Sequence, residues 1–238
     1  MVIRLGAHPE SPFPPVETAL LEPDGLLAWG GDLRAPRLLN AYRKGIFPWY
    51  SQEDPILWWS PSRRCVLDPA SVYVSRRLER LLKQGRFKVT ADTAFTEVVA
   101  GCALPRKDQP TTWITEEMAA AYQALHQLGY AHSVEVWQDG SLAGGIYGVD
   151  IGRMFFGESM FSKARDASKV ALVSLCRQLE AWDYILLDCQ VSNPHLQRQG
   201  AREISREKFC AALRLNAAFE ERAGSWQGHL GGLNPAAE

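Results

Sequence analysis

Residues 133–161 read SVEVWQDGSLAGGIYGVDIGRMFFGESMF, and this stretch decides which fold the sequence predicts. Polar and apolar residues alternate over 133–137, and Asp139-Gly140 has the composition of a tight hairpin turn. A second strand pattern follows over 142–149 and a third over 153–161. Together they predict an antiparallel meander of three strands.

Helical patterns lie on both sides of the meander. Before it, Thr115 can cap a helix that has acidic residues in its first turn and that Gly129 can end. After it, apolar residues recur at helical spacing over 172–182, and a buried strand follows over 184–187. The order helix, meander, helix, strand, helix predicts an α+β (mixed α/β) domain over 110–215.

The beginning of the chain differs in composition from the rest. Residues 1–65 are rich in proline, glycine and tryptophan, which predicts a smaller N-terminal domain, irregular or small α+β. An alternative boundary lies near residue 105. Residues 66–238 form the catalytic domain in this prediction, with a basic helix near its start and a loosely packed tail after residue 223.

Composition excludes several classes of protein. The 238 residues carry a formal net charge of −1, so any contact with RNA needs a local patch. Five widely spaced cysteines without a C-x-x-C pair fit a reducing cytosol and argue against structural zinc. No apolar stretch approaches membrane-spanning length, and the histidines have no H-E-x-x-H spacing. We expect a cytoplasmic protein without a metal site or membrane contact.

Glu158 stands between apolar residues of the third strand pattern, where a charged side chain is costly unless it has a task. Strand alternation places it on the same face as Phe156 and Met160, beside hydrophobic walls. This placement predicts a catalytic or binding role, and a buried structural salt bridge is the alternative.

Asp188 and Gln190 stand at the end of the next strand and are separated by Cys189, which places them on the same side of the strand. The carboxylate can accept a hydrogen bond from the amide NH2 and so fix the direction of the amide oxygen. A fixed amide oxygen is a good acceptor for an amine N–H. A strand-end Asp that caps the following helix is an equal alternative.

A basic run gives an independent indication. Arg76, Arg80 and Lys83 share one face of a helix predicted over 71–84. Like charges on one face repel each other, so a polyanion such as RNA is one explanation and an ordinary solvated face is the other. The full run over 76–88 sets six cations against Glu79 alone: Arg76, Arg77, Arg80, Lys83, Arg86 and Lys88.

Trp49 and Trp113 occur in loop-like contexts. Loop tryptophans can stack on nucleobases or form the wall of a pocket, although more of them simply close a core. The glycines around Ile146 predict either a close approach to the backbone by a ligand or another segment, or a β-bulge.

The chain contains a series of short blocks in this order: GLLA (25–28), GGDL (30–33), AY (41–42), GIFPW (45–49), WWSP (58–61), TWI (112–114), AHSVE (131–135), YGV (147–149), GESMFS (157–162), SK (168–169) and DCQ (188–190). No single block decides a resemblance, but the ordered set is highly specific. Taken in order, the blocks resemble the leucyl/phenylalanyl-tRNA–protein transferase family over residues 25–210.

The resemblance implies a reaction: a leucyl or phenylalanyl group, and less readily methionyl, moves from tRNA to the α-amine of a protein that begins with Arg or Lys. The product is marked for degradation. The implied partners are therefore Leu-tRNA, Phe-tRNA and such a protein. The resemblance also implies a C-terminal domain similar to the GCN5-related acetyltransferase fold.

Matched residue by residue, Asp188 and Gln190 are the catalytic pair, and Glu158 lies in the acceptor-peptide site. Trp49 and Trp113 are implied to surround the terminal adenosine. The sequence departs from the family pattern after His195 and also at Ile146, where members carry Met in the side-chain pocket. The remaining implied site residues are Phe156 and Met160 in the aminoacyl pocket and Arg76, Arg77, Arg80 and Lys83 against the tRNA body.

Two other functions fit part of the pattern. An acyl-CoA-dependent N-acetyltransferase would bind pyrophosphate through a glycine-rich turn at a helix start. Residues 162–169 contain no glycine, which disfavours coenzyme A, and we expect no cofactor. A non-catalytic RNA-binding adaptor explains the basic helix but gives Glu158, Asp188 and Gln190 nothing to do.

Overall fold

The protein was analysed as a computed structural model that describes residues 2–6, 8, 11–105 and 112–230. The described residues form two β-sheets with helices packed against them, so the predicted mixed α/β class is confirmed. The quoted TWI block begins at Thr112, directly after the segment 106–111, which lies outside the described residues. No helix within the described ranges is long and apolar enough to cross a membrane.

A four-stranded sheet occupies the N-terminal part, in the order β1-β2-β4-β3. Pro36 stands in the first turn of its helix, where a missing N–H leaves no helical hydrogen bond unmade. The elements in this part are β1 (Ile3–Leu5), β2 (Leu26–Gly30), α1 (Ala35–Arg43), β3 (Phe47–Pro48) and β4 (Leu57–Trp59).

A seven-stranded sheet follows, in the order β11-β5-β10-β9-β8-β7-β6. Its elements are β5 (Arg63–Leu67), α2 (Arg76–Lys83), β6 (Lys88–Ala91), α3 (Phe95–Ala103), α4 (Glu116–Gln127), β7 (Ala131–Gln138), β8 (Ser141–Ile151), β9 (Met154–Ser162), α5 (Ala167–Ala181), β10 (Leu186–Gln190), α6 (Pro194–Arg198), β11 (Arg202–Ser205) and α7 (Arg206–Asn216). One cluster of buried side chains, including Tyr42, Trp58 and Tyr147, joins the two sheets. The domain boundary at residue 65 stays a prediction.

The predicted meander is confirmed as β7, β8 and β9, which pair antiparallel in sequence order. β10 then pairs parallel with β9, but only over residues 154–156 and 186–188. Beyond Phe156 and Asp188 the two strands separate. This separation leaves an opening in the middle of the sheet.

A β-bulge at Glu158 changes which side chains share a face of β9. Tyr147 pairs with Ser159 and Gly148 pairs with Gly157, so Glu158 is the extra, unpaired residue. Strict alternation stops there. As a result Phe156 packs into the core cluster that contains the N-terminal sheet, whereas Met160 packs against the other cluster. The predicted common face of Phe156 and Met160 is wrong.

Both explanations predicted for the glycines around Ile146 apply. Another segment of the protein packs closely against the strand, and the strand takes part in a β-bulge. A Cβ at Gly144 would lie 2.7 Å from the Cβ of Ala167, so α5 can pack closely on β8 only with glycine there. Gly148 stands at the bulge itself. The glycines thus shape the sheet around Ile146.

Side-chain caps set the starts of two helices, α4 and α2, whereas a third helix, α3, has no side-chain cap among the described residues. Thr115 caps α4 by accepting a hydrogen bond from the Met118 N–H, as predicted. Ser75 caps α2, which therefore begins at Arg76, later than the predicted 71. Asp92 does not cap α3, because its carboxylate is held elsewhere by His132.

The predicted loose tail is wrong for residues 223–230. Trp226 is buried, and its ring stacks on His132 with ring centres 4.1 Å apart. The backbone N–H of Trp226 donates to the Asp92 carboxylate at 2.7 Å. The same carboxylate thus anchors the end of the described chain to the sheet.

Candidate active site

A cavity of about 310 Å3 opens where β9 and β10 separate. Of the eight residues predicted for the catalytic site and the aminoacyl and adenosine pocket, six line this cavity and two, Phe156 and Asp188, do not. The predicted residues in the lining are Trp49, Trp113, Ile146, Glu158, Met160 and Gln190, and Phe47, Leu172, Leu187, Cys189, Ser192, Asn193 and Leu196 are among the others.

Glu158 is held in the cavity wall by three neutral hydrogen-bond donors. The Tyr42 hydroxyl donates to Oε1 at 2.8 Å and the Tyr122 hydroxyl to Oε2 at 2.6 Å. The Gln190 amide nitrogen donates to Oε1 at 2.9 Å. Among the described residues no cation is bonded to Glu158, so they do not form the buried salt bridge that was the predicted alternative.

The hydroxyl groups of Tyr42 and Tyr122 also lie 2.6 Å from each other. The two tyrosines and Glu158 thus share three oxygen–oxygen contacts, and two hydroxyl hydrogens cannot fill all three. When Glu158 is protonated all three are filled: its carboxyl group donates to one tyrosine, that tyrosine donates to the other, and the second donates back to Glu158. In agreement, burial raises the pKa of Glu158 to about 7, although the tyrosine hydrogen bonds oppose this shift.

The same burial raises the pKa of both tyrosines well above the ordinary value, and the nearby Glu158 raises it further. Tyr42 and Tyr122 are fully buried. They therefore keep their hydrogens near neutral pH. Glu158 is the group of the three that titrates there.

Asp188 lies behind the cavity in a buried ion pair. Arg64 donates to it through Nε at 2.8 Å and through Nη2 at 2.6 Å. The guanidinium lies between the rings of Phe47 and Phe209, at 4.6 and 4.5 Å from their centres, and also donates to the Gly45 carbonyl. Both charged groups are fully enclosed, so the pair is part of the scaffold.

The predicted hydrogen bond between the side chains of Asp188 and Gln190 is replaced by a backbone contact. Asp188 Oδ1 accepts from the Gln190 backbone N–H at 2.9 Å, while the Gln190 amide turns to Glu158. Gln190 has φ of +60°, a strained conformation for a residue other than glycine. Because of this turn, Gln190 faces the cavity and Asp188 does not.

The Gln190 amide is therefore directed by Glu158. Its NH2 is bonded to Glu158, and within the described residues its oxygen accepts no hydrogen bond. Asp188 does not cap α6 either, because the Asn193 side chain accepts from the His195 and Leu196 N–H groups. Both predicted roles of the Asp188 side chain are thus replaced.

The rest of the lining is aromatic and aliphatic. Trp49 is 43% exposed and its carbonyl accepts from Trp59 Nε1 at 2.6 Å, which fixes the loop that carries it. Ile146 and Met160, opposite each other on β8 and β9, form an apolar wall with Leu172. Phe156 instead packs on Tyr42 with ring centres 5.2 Å apart, because the bulge turns it away.

Sequence analysis did not identify Tyr42, Tyr122 or Arg64 as site residues. Tyr122 has the helical spacing of an ordinary core residue, and Tyr42 lies 116 positions from Glu158. Arg64 lies 124 positions from Asp188 and has no local marker. The one available signal was the AY block of the resemblance.

The basic helix α2 is exposed, and its cations differ in their partners. Arg76, Arg80 and Lys83 border one shallow depression, so their predicted common face is confirmed. Arg77 is ion-paired with Asp166 at the start of α5. Lys83 lies 3.7 Å from Glu79, while Arg76 and Arg80 have no ion-pair partner within the described part of the chain.

The described residues contain no cluster of three or more His, Cys, Asp or Glu side chains that could hold a metal ion. The described lining residues offer one carboxyl group, the two amides of Gln190 and Asn193, and two indole rings among their polar and aromatic groups. That set suits an organic ligand with an aromatic part, an apolar part and an amine.

Comparison with known families gives two matches along the chain. The model described as leucyl/phenylalanyl-tRNA protein transferase matches residues 66–214. The model of the N-terminal domain of the same family matches residues 31–62.

Individual relatives agree with the family models. A protein from Nitrosomonas europaea named leucyl/phenylalanyl-tRNA–protein transferase is 59% identical, over 88% of this chain and 89% of its own. Proteins with the same name from Alkalilimnicola ehrlichii (54%; 92% and 86%) and Chromobacterium violaceum (53%; 93% and 95%) are similar over comparable lengths.

Similarity to solved structures is remote. A GCN5-related N-acetyltransferase from Kribbella flavida is 10% identical with a TM-score of 0.38, over 70% of this chain and 60% of its own. L-PGS from Bacillus licheniformis is 9% identical with a TM-score of 0.40, over 71% and 56%.

Proposed function

The chain belongs to the leucyl/phenylalanyl-tRNA protein transferase family, and on that premise we propose that the cavity between β9 and β10 is its aminoacyl-transfer site. The protein is an aminoacyltransferase. The proposed donors are Leu-tRNA and Phe-tRNA, with Met-tRNA less favoured. The proposed acceptor is a protein with N-terminal Arg or Lys, modified in the cytoplasm and thereby marked for degradation.

The donor end fits the shape of the cavity. Trp49 and Trp113 offer two indole rings for the terminal adenosine, because base–aromatic stacking favours such a pair. The leucyl or phenylalanyl side chain lies against Ile146, Met160 and Leu172, which offer apolar area without an unpaired polar group. Phe156 is not part of this wall, because it packs on Tyr42.

The acceptor amine reacts beside Gln190. In the transfer a C–N bond forms, the ester C–O bond breaks, and the 3′ oxygen of the tRNA leaves with a proton. The ester is already activated, so the protein mainly orients the reactants. The Gln190 amide oxygen, fixed in direction through its NH2 on Glu158, accepts an N–H of the attacking amine.

Glu158 has a second role in this proposal. Its carboxyl group is the one carboxyl group among the described residues of the cavity lining, and Asp188 is paired with Arg64 behind it. When ionised, Glu158 attracts the cationic N-terminus of an Arg- or Lys-initiated acceptor. Asp188 and Arg64 act as positioning residues, since they hold the backbone of Gln190 in its turned conformation.

In this proposal the body of the tRNA binds to helix α2. Arg76, Arg80 and Lys83 present charge on one face, and phosphate neutralisation by such side chains supplies sequence-independent affinity. Arg77 contributes less in this proposal, because Asp166 already compensates its charge.

The observation that carries the proposal is the Gln190 amide fixed on Glu158 inside a cavity with two indole rings. The test is transfer of labelled leucine from Leu-tRNA to a peptide that begins with Arg. The matched control peptide begins with Glu. Transfer to the first peptide alone is expected, and no transfer to either would overturn the proposal. Acetylation of the same peptide from acetyl-CoA would instead support an N-acetyltransferase.

A further inference from the structure

Two cysteines meet directly beneath the cavity floor. Cys65 lies on β5 and Cys189 on β10, which pair antiparallel. Asp188 pairs with Val66 and Gln190 pairs with Cys65, so Cys189 is the extra residue of an irregularity opposite Cys65. The two thiol groups are close enough for each to shift the pKa of the other, and Cys189 Sγ also lies 3.9 Å from the Leu187 carbonyl oxygen.

The backbone arrangement allows these sulfurs to be joined. Residues opposite each other on antiparallel strands have Cα atoms about 4.5–5.5 Å apart. Disulfide bonds span Cα separations of about 4.4–6.8 Å. Gln190, the neighbour of Cys189, is the residue opposite Cys65, so joining the two sulfurs needs Cys189 to be drawn towards β5 at the irregularity.

The pair is reachable and reactive from one side. Cys65 is fully buried, but Cys189 lines the cavity, which gives a small oxidant access to the pair. The neighbouring Cys189 thiol and Ser192 lower the pKa of Cys65 and so favour its thiolate, whereas Cys65 and burial raise the pKa of Cys189. Cys176, in contrast, is enclosed in the core, where burial raises the pKa of its thiol and makes it inert.

We propose that Cys65 and Cys189 are a dithiol modification site that peroxide converts into a disulfide. Hydrogen peroxide oxidises one thiol to a sulfenic acid and is itself reduced to water. The other sulfur then attacks the sulfenic sulfur, and a second water leaves as the S–S bond forms. A dithiol reductant restores both thiols.

The modification stops transfer, and this part of the inference rests on the proposed function. Cys189 stands between Asp188 and Gln190, the residues that hold and present the amide. A bond to Cys65 draws Cys189 towards β5 and turns Gln190 away from Glu158. A displacement of reacting groups by about 1 Å can cost about 100-fold in rate.

The test has two readouts on the full-length protein. After treatment with hydrogen peroxide, mass spectrometry of unreduced peptides should find Cys65 linked to Cys189, and leucine transfer should fall about 100-fold and return with dithiothreitol. Cys65→Ala should transfer leucine normally and resist peroxide. Cys210→Ala, which removes a partly exposed thiol on α7, should stay as sensitive as the wild type.

Either of two results would overturn the inference: no linked peptide when the other thiols are oxidised, or equal peroxide sensitivity in Cys65→Ala. Absence of transfer by the reduced protein would contradict the proposed function instead. The linked peptide would still be found in that case, so the two failures are distinguishable.

Discussion

Asp188 and Glu158 lie on neighbouring strands of one sheet, yet their surroundings differ in charge. Between β5 and β10, Asp188 is enclosed with Arg64, which donates to both of its carboxylate oxygens. At the β9 bulge Glu158 has neutral donors only, and burial raises its pKa to about 7. A compensated carboxylate fixes structure, whereas an uncompensated one stays available to a ligand or a proton.

The largest expected effect comes from breaking the compensated pair. Arg64→Ala leaves the buried Asp188 charge without a partner, which should lower the free energy of unfolding by about 3–5 kcal/mol. Urea denaturation measures this loss. The control is Arg63→Ala at the next position, where the exposed pair with Glu203 should cost less than about 1 kcal/mol. Equal losses would mean that enclosing the Arg64–Asp188 pair adds nothing beyond an exposed pair, which would contradict its role in the scaffold.

The second effect is on the rate of transfer and leaves stability intact. Gln190→Ala removes the amide that Glu158 directs, and the single-turnover rate should fall about 100-fold while the urea midpoint changes little. Alanine leaves the strain of the positive φ in place, because only glycine would relieve it, so the change in rate reports the lost amide. The control Gln138→Ala, at the end of β7, should transfer at the wild-type rate. A wild-type rate in Gln190→Ala would contradict the assignment.

The meander and the cap of α4 could be predicted because their signals are local: alternation, a two-residue turn, and Thr115 before acidic residues. The site could be predicted only in part. Glu158 and Gln190 were found as polar residues in strand patterns. The bulge that separates Phe156 from Met160 adds one residue and has no local marker.

Partners distant in sequence account for the remaining errors. Arg64 is 124 positions from Asp188, so the sequence suggested the neighbour Gln190 as its partner instead. Arg77 looked like the other cations of its helix, although Asp166, 89 positions away, compensates it. A pattern gives the face of a residue, whereas its charge compensation depends on the fold.

The third effect sharpens the comparison through pH. As pH rises through about 7, Glu158 loses its proton and the cavity becomes negative, so kcat/KM for an Arg-initiated peptide should rise. Titration of the peptide amine adds to the rise in every variant. Glu158→Gln lacks the carboxyl part, so its deficit should grow from near none at about pH 6 to about tenfold at about pH 8. A constant deficit over this range would contradict an uncompensated Glu158.

Stability gives an independent check with the opposite sign. The pKa of Glu158 is higher in the folded than in the unfolded protein, so the folded state holds the proton longer. The Glu158 contribution to the free energy of unfolding therefore falls as pH rises from about 4.3 to about 7. Glu158→Gln should lessen that fall.

The smallest effect moves the comparison to the surface. Arg80 has no ion-pair partner among the described residues, while Arg77 on the same helix is paired with Asp166. Arg80→Gln should therefore weaken tRNA binding about threefold and reduce the slope of log affinity against log salt by at most about 0.9. Arg77→Gln should change the affinity and the salt slope less, because Asp166 already compensates the charge that this substitution removes. Filter binding at several salt concentrations measures both quantities. A larger loss of affinity in the Arg77 variant than in the Arg80 variant would contradict this expectation. Charge compensation within the protein would then not govern which cations contact the phosphates. Helix α2 would instead have to contact tRNA through the face that turns towards α5.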